Sequence, residues 1–318
     1  MTSVKSIDRS IARDQLTASL ARNPREIPSL YGYDEMGSLL YAKIMRLPAY
    51  YLPQAETQLL TEHASSIVRS ARCQTVVDLG AGTAEKTEIL LAALPHSAHC
   101  VLLDIDEAII TNAAARLAAE QPHHTFSCIN GTFREGIAHM DPGTEHPILT
   151  TFLGSTIGNL DTHERATLLE AVRRNASPGD SLFITADLHK SPDRIEAAYT
   201  CGYDGESGVR TRFALNRLEH LNRTWGADFQ TGRYVPHAHY DNDAHEVIAT
   251  LRSTAQQTVR IDDLDLTMTF DADEAIIRDR MRKFTVDELE NELNIAGWAI
   301  ESRWINESYM YAGLLAKV

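Results

Sequence analysis

No apolar run in the chain reaches membrane-spanning length, and the opening residues Met1-Thr2-Ser3-Val4-Lys5 lack the apolar stretch of a signal peptide. The expectation is therefore a cytoplasmic protein with no membrane partner. Basic residues are scarce. Against 44 Asp and Glu there are 30 Lys and Arg, a net charge of −14. A surface of that sign repels phosphate, so a nucleic-acid or anionic-membrane partner is not expected. Cysteine is scarce too. The four (Cys73, Cys100, Cys128, Cys201) form no C-x-x-C pair, and Cys100 and Cys128 fall in predicted strands as buried thiols. His237, His239 and His245, with Asp241 and Asp243, match no zinc spacing and have no cysteine to help. They read as a solvated or hydrogen-bonded cluster, and no metal is expected.

What is present is enough for one large domain or two: 318 residues, 43% of them hydrophobic. The organising stretch is Val76-Val77-Asp78-Leu79-Gly80-Ala81-Gly82-Thr83-Ala84-Glu85-Lys86. A short apolar run ends at an acid, a Gly-x-Gly turn follows, and a helical pattern starts at Glu85. Gly80 lets the chain reverse, and Gly82 lets a ligand approach the backbone. Asp104 ends the next apolar run, where a carboxylate sits to bind a ribose hydroxyl in nucleotide folds. Three cofactors compete for such a turn. A nicotinamide site wants a third glycine where Glu85 stands. A P-loop wants a glycine, not Glu85, before Lys86, and a carboxylate there repels phosphate. An adenosyl cofactor without a pyrophosphate, such as S-adenosylmethionine, tolerates the acid best. Asp78 reads as a structural acid at the strand end.

From residue 75 onward strands alternate with helices. Strands are predicted at 75–79, 100–104, 125–129, 147–153 and 181–186. Helices are predicted at 84–94, 107–120 and 162–174, the last opened by a capping box of Asp161 and Glu164. This is the pattern of an α/β fold with a doubly wound, mostly parallel sheet. Ligands in such sheets bind at the carboxyl ends of the strands. Gly80, Asp104, Thr132-Phe133 and the run from Gly154 to Asn159 all lie at such ends.

Before the sheet, residues 1 to 25 are polar and weakly helical, and a helix is predicted from Gln54 to Ala71. Between them Tyr31, Tyr33, Tyr50 and Tyr51 stand among prolines and glycines, as interface packing or as a lid over a cofactor. After Leu188 the alternation stops. A helix opened by Ser191-Pro192 runs to Tyr199. A glycine-rich loop at 202–208, a helix around 211–224 and strand-like alternation through 229–270 follow. Thr285 and Glu288 open another helix, 286–296, before two last strands, 298–305 and 308–316, that read as an antiparallel hairpin closing the sheet. The predicted division is a core of 61–190 and 285–318, and an α+β lobe of 1–60 and 191–284.

The run Phe152-Leu153-Gly154-Ser155-Thr156-Ile157-Gly158-Asn159-Leu160 is specific enough to carry a resemblance. With Tyr31-Gly32-Tyr33-Asp34, Leu47-Pro48-Ala49-Tyr50-Tyr51 and the stretch from Leu79 to Lys86, it resembles the histidine Nα-methyltransferase family of ergothioneine biosynthesis. Fungal relatives of that family methylate dimethylallyltryptophan. The resemblance runs from about Tyr31 to the C-terminus. It implies a class I methyltransferase core with a family-specific substrate lobe. It implies S-adenosylmethionine contacts at Tyr33, Gly80, Gly82, Lys86, Asp104, Thr132 and Phe133. It implies that Asn159 and Tyr199 hold the amino-acid head, that Gly154 and Thr156 lie near the amine, and that Tyr50 lies near the side chain. Asn159, Tyr33 and Thr156 are the expected catalytic groups.

Three departures stand out, the first at the cofactor and the other two at the substrate. The family's Asp-Phe adenine contact reads Thr132-Phe133. The histidine-reading Glu and Ser fall at Asp279 and Met281, a shorter acid and a lost hydroxyl. The family's methionine beside the substrate falls near Ala249. The latter two favour a larger aromatic side chain. The expected reaction is methyl transfer from a sulfonium to the neutral α-nitrogen of histidine, tryptophan or tyrosine, repeated toward a betaine, by a monomer. The alternatives are a non-catalytic, S-adenosylmethionine-binding regulatory protein on the same fold, and a methyltransferase of protein or nucleic acid.

Overall fold

The computed structural model describes residues 9–138, 144–203 and 208–318. Part of the glycine-rich loop and the first eight residues of the predicted lobe lie outside the described residues. In chain order the strands are β1 (Thr75–Leu79), β2 (His99–Asp104), β3 (Thr125–Asn130), β4 (Ile148–Phe152), β5 (Ser181–Asp187) and β6 (Tyr234–Asp241). They continue with β7 (Glu246–Ser253), β8 (Gln257–Ile261), β9 (Leu266–Phe270), β10 (Ala275–Arg282), β11 (Ala299–Asn306) and β12 (Tyr311–Lys317). The chain divides into two compact units, one of 52–189 and 283–318, the other of 7–51 and 190–282.

The first unit holds a seven-stranded sheet in the order β11-β12-β5-β4-β1-β2-β3. Strands β1 to β5 run parallel, while β12 pairs antiparallel with β5 and β11 with β12. The five predicted strands and the closing hairpin are all present within a few residues. Every residue of β1 is buried, as a strand covered on both faces requires. Val77, Leu79, Leu103, Phe152, Ile184 and Leu314 form the centre of the apolar core. Each such side chain contributes about 1.5–3 kcal/mol by leaving water. Both predicted capping boxes form, Asp161 with Glu164 and Thr285 with Glu288, and Leu168, Leu169 and Val172 are buried as the helical stripe required. The helix Leu52–Ala71 runs unbroken through residue 60, so all of it belongs to this unit. Cys100 is buried, but Cys128 is only half-buried because β3 is the sheet's outer strand.

The second unit holds helices Arg9–Leu20, Glu35–Ile44, Pro192–Thr200 and Val209–Trp225. Its three-stranded antiparallel sheet has the order β10-β7-β6, and β8 and β9 form a hairpin. The core contains Leu16, Leu20, Ile27, Leu218, Leu221, Trp225, Phe270 and Ile276. The N-terminal segment is tied in by a parallel bridge from Glu26 to Ile277. Ser191 stands at the predicted cap but its side chain makes no capping bond; Pro192 at the first turn starts that helix. Along β10 the register slips between Ile277 and Asp279, which makes Arg278 the extra residue of a β-bulge.

Candidate active site

The Gly-x-Gly turn leaves β1 with φ of +80° at Gly80 and +52° at Gly82. A Cβ on Gly80 would sit 3.3 Å from the Phe133 ring, so the position is closed by its neighbour as well as by its backbone. A Cβ on Gly82 would meet nothing within 4 Å, so open space lies over this residue. The Gly82 N–H donates to Asp104 Oδ2 (3.0 Å), and Asp104 Oδ1 accepts from the Asp106 N–H (3.1 Å). Burial raises the Asp104 carboxyl above its ordinary value, against the pull of these bonds. Phe133 packs edge-on against Phe152, with ring centres 5.1 Å apart. Asp78 is buried, accepts from the hydroxyls of Thr87 and Thr151, and is pushed up to about 6 by burial. It fills the structural role expected of it.

The helix Glu85–Ala92 carries Lys86 at its start, and this lysine pairs with Glu56 of the helix Leu52–Ala71. Glu56 is fully buried. Its Oε1 accepts from the Gly154 N–H (2.6 Å) and from the Thr185 hydroxyl. A Cβ on Gly154 would lie 3.2 Å from Thr156 Oγ1 and 3.3 Å from Lys86 Nζ. One carboxylate thus joins the turn after β1 to the loop after β4. Glu56 escaped the sequence reading, although it lies on the same helical stripe as buried Leu52 and Leu60, four residues either side.

Thr156 donates its hydroxyl proton to Leu153 O (2.7 Å), so it meets any further group as an acceptor. Asn159 ends the short 3-10 helix Thr156–Asn159; it is exposed, and its side-chain amide has no partner among the described residues. Thr132 was expected to offer its hydroxyl to a cofactor. That hydroxyl donates instead to Glu135 Oε2 (2.8 Å), which also accepts from the Thr132 N–H (2.9 Å), and so caps the helix Phe133–Ala138.

Within the second unit, Tyr33 lies edge-on to Tyr41 and Phe213, and Tyr50 lies edge-on to Tyr199. The Arg210 guanidinium sits 4.7 Å from the Tyr50 ring centre and 5.9 Å from that of Tyr199. Burial drives the phenols of Tyr33 and Tyr50 well above their ordinary value. Asp279 stands across from Ala249, which stands across from Ala238. Its Oδ1 accepts from Arg217 (3.0 Å) and its Oδ2 from Arg278 (2.5 Å). Met281 is half-buried two residues along, opposite Val247. Neither arginine was singled out in the sequence. Arg217 is 62 residues from Asp279, with no local signal to link them.

Residues 12–318 match the model of the S-adenosylmethionine-dependent, histidine-specific methyltransferase family. The chain belongs to this family. A histidine Nα-methyltransferase of Mycobacterium tuberculosis is 33% identical over 93% of this chain and 91% of that one. An L-tryptophan methyltransferase of Psilocybe serbica is 26% identical over 90% of this chain and 87% of its own length. Among solved structures, an S-adenosylmethionine-dependent methyltransferase from Clostridium acetobutylicum is 12% identical, with a TM-score of 0.46 over 82% of this chain and 92% of that one.

Membership makes the protein an S-adenosylmethionine-dependent amino-acid N-methyltransferase. The residues at the strand ends fit that cofactor. The space over Gly82 admits a ligand against the backbone, and Asp104 keeps acceptor capacity beyond its two backbone bonds. Among the described residues, no group of three or more His, Cys, Asp or Glu side chains is placed to hold a metal ion, and no helix is long and apolar enough to cross a membrane.

Proposed function

We propose that the protein methylates the α-amino group of a free aromatic amino acid, repeatedly, toward a betaine. Histidine, tryptophan and tyrosine are the candidates. One observation carries the reading. Glu56 binds Lys86 of the cofactor turn and the Gly154 N–H of the loop assigned to the amine, so the two halves of a transfer site share one buried carboxylate.

When bound, S-adenosylmethionine supplies a methyl group on a positively charged sulfur. Gly80, Gly82 and Phe133 would shape its seat, Asp104 would accept from its ribose hydroxyls, and Lys86 would meet its carboxylate. The chain's remaining task is to hold a neutral amine, since an ammonium has no lone pair. Asn159 has an unengaged amide whose oxygen accepts from the amine and whose NH2 donates to the carboxylate. Thr156, its own proton spent on Leu153 O, accepts a second amine N–H. Held this way, the nitrogen lone pair points in one direction. Orientation of reacting atoms at about 3–3.5 Å supplies much of such a reaction's acceleration. In the second unit, Tyr50, Asp279 and Met281 are assigned the substrate's side chain, Tyr199 the amino-acid head and Tyr33 the cofactor. The reading includes a monomer acting in the cytoplasm, with no nucleic-acid or membrane partner. The acidic net charge supports that reading, and light scattering with cell fractionation tests it.

The direct test is a screen of the twenty amino acids with labelled S-adenosylmethionine, followed by mass spectrometry of the products. Transfer to an aromatic amino acid is expected, with dimethyl and trimethyl species at saturating cofactor. Single methylation would remove the betaine, and transfer to none would remove the reading. Asn159→Ala is expected to lower kcat/KM by about a hundredfold with melting unchanged, because a site group that fixes geometry commands that range.

A further inference from the structure

The second unit buries cations in a protein that is acidic overall. Among its described residues the buried charged ones are Arg210, Arg217 and Arg278, and no described carboxylate there is as deeply buried. Arg217 spends both of its terminal nitrogens. It donates to the carbonyls of Ile27 (3.3 Å), Ser29 (3.2 Å) and Arg278, and to Asp279. In Arg278 one terminal nitrogen donates to Asp279 (2.5 Å) and the other to the Tyr203 hydroxyl (2.7 Å), while its Nε is buried without a partner. A guanidinium carries five N–H donors, so this one retains unspent capacity in a place sealed from water. Leaving such a donor unmatched is unfavourable, and an acceptor brought to it is correspondingly stabilised.

The bulge explains how the group comes to be there. Residues adjacent on a strand normally point to opposite faces, yet Arg278 and Asp279 share an ion pair. The extra residue in β10 redirects Arg278 toward its neighbour. Both Asp279 oxygens then face guanidinium groups, and the cluster of two arginines and one aspartate carries a charge of +1. The acid that the family resemblance would use to accept an imidazole N–H is already occupied from both sides. Beside it, Ala249 and Ala238 continue the row across the sheet with small, buried side chains.

We infer that Arg278 is a specificity-determining residue that selects an aromatic amino acid bearing an oxygen at the far end of its ring, a phenol, over phenyl or indole, which offer no acceptor, and over imidazole, whose N–H would find both Asp279 oxygens already bound. The inference rests on the assignment of the second unit to the substrate's side chain. A donor-rich end discriminates strongly between ligands that differ by one oxygen, because the ligand lacking it leaves a buried N–H unpaired.

The test compares kcat/KM for L-tyrosine, L-phenylalanine, L-tryptophan and L-histidine in the wild-type enzyme, Arg278→Met and Arg278→Lys. The wild type should prefer tyrosine to phenylalanine by about tenfold or more, a ratio that reads the phenol oxygen alone. In Arg278→Met the ratio should fall to near one, and histidine should gain on tyrosine as one Asp279 oxygen is released. Arg278→Lys, which keeps a donor, should retain part of the preference; if the methionine variant does not fold, this variant and the wild-type ratio decide. Equal use of tyrosine and phenylalanine by the wild type, or a tyrosine preference that survives Arg278→Met, would overturn the inference. Histidine or tryptophan ahead of tyrosine would overturn it too, and would leave the methyltransferase reading standing. Methylation of none of the four would remove that reading and the inference with it.

Discussion

Glu56 and Lys86 form an ion pair inside the sheet-bearing unit, between one fully buried carboxylate and a lysine at the start of the helix that follows the glycine turn. Because the other Glu56 oxygen holds the Gly154 N–H, this pair ties the turn after β1 to the loop after β4.

The pair predicts a coupled loss of cofactor affinity. Glu56→Gln should weaken binding of S-adenosylhomocysteine by about tenfold in calorimetry, since a charged hydrogen-bonding partner contributes about 1.5–3 kcal/mol. Lys86→Met should weaken it at least as much. The double variant should bind no worse than Lys86→Met, because Glu56 acts through the lysine. Additive losses would show that it does not.

The two glycines of the turn should fail in different ways. Gly80→Ala meets the Phe133 ring at 3.3 Å as well as adverse backbone geometry, so the variant should lose both stability and cofactor binding. Gly82→Ala meets no neighbour and should cost only about 1–2 kcal/mol of stability from its left-handed backbone. It should nevertheless lose cofactor affinity, because the added methyl fills the space over the turn. Urea unfolding beside calorimetry separates the two. An unimpaired cofactor affinity in Gly82→Ala would place the ligand elsewhere.

Asp78 predicts a slope in stability with pH. Burial raises its carboxyl to about 6 from the model-peptide value of 3.8. Below about pH 4 it is neutral in both folded and unfolded chains. As pH rises toward 6 the unfolded chain ionises first, so stability is lost through that window. Two units correspond to about 3 kcal/mol. Asp78→Asn cannot ionise, so its stability relative to wild type should rise by up to that amount between pH 4 and 7. The raised Asp104 acts in the same direction in both proteins and cancels. A pH-independent difference would contradict the assignment.

Arg210 predicts a change confined to one substrate. Its guanidinium lies over Tyr50 and Tyr199 and donates to the Ala198 carbonyl (2.8 Å). Arg210→Met should lower stability by about 2 kcal/mol, the sum of a buried cation–π contact and a charged hydrogen bond. It should raise KM for the amino acid severalfold and leave S-adenosylhomocysteine affinity unaltered. Loss of both affinities would mean a general unfolding.

The parallel strands were legible because buried strands are short apolar runs that turns and caps delimit, and each Asp or Thr cap announced its helix. The glycine turn and the strand-end Asp104 were legible for the same reason: each is a local pattern at the end of a short apolar run. The second unit was harder. Strand β6 contains Pro236 and exposed Val235, and β10 carries Arg278 and Arg280 among its apolar residues, so neither shows a clean alternation. Glu56 looked like one more charge on a helix, and only the burial of its neighbours exposes it. The Arg217–Asp279 pair is long-range, and residues that meet only after folding leave no spacing to read. Thr132 is ambiguous in sequence, because a threonine three residues before a glutamate is equally a helix cap.

The bridge between Glu26 and Ile277 also sets a schedule for biosynthesis. A ribosome extending at about 5–20 residues per second delivers Ile277 roughly ten to fifty seconds after Glu26 has emerged. Throughout that interval the early segment has no β10 to lie against, and its apolar side chains, Leu16, Leu20 and Ile27, lack late core partners such as Phe270 and Ile276. The order of translation and the order of assembly therefore run in opposite senses for this part of the enzyme.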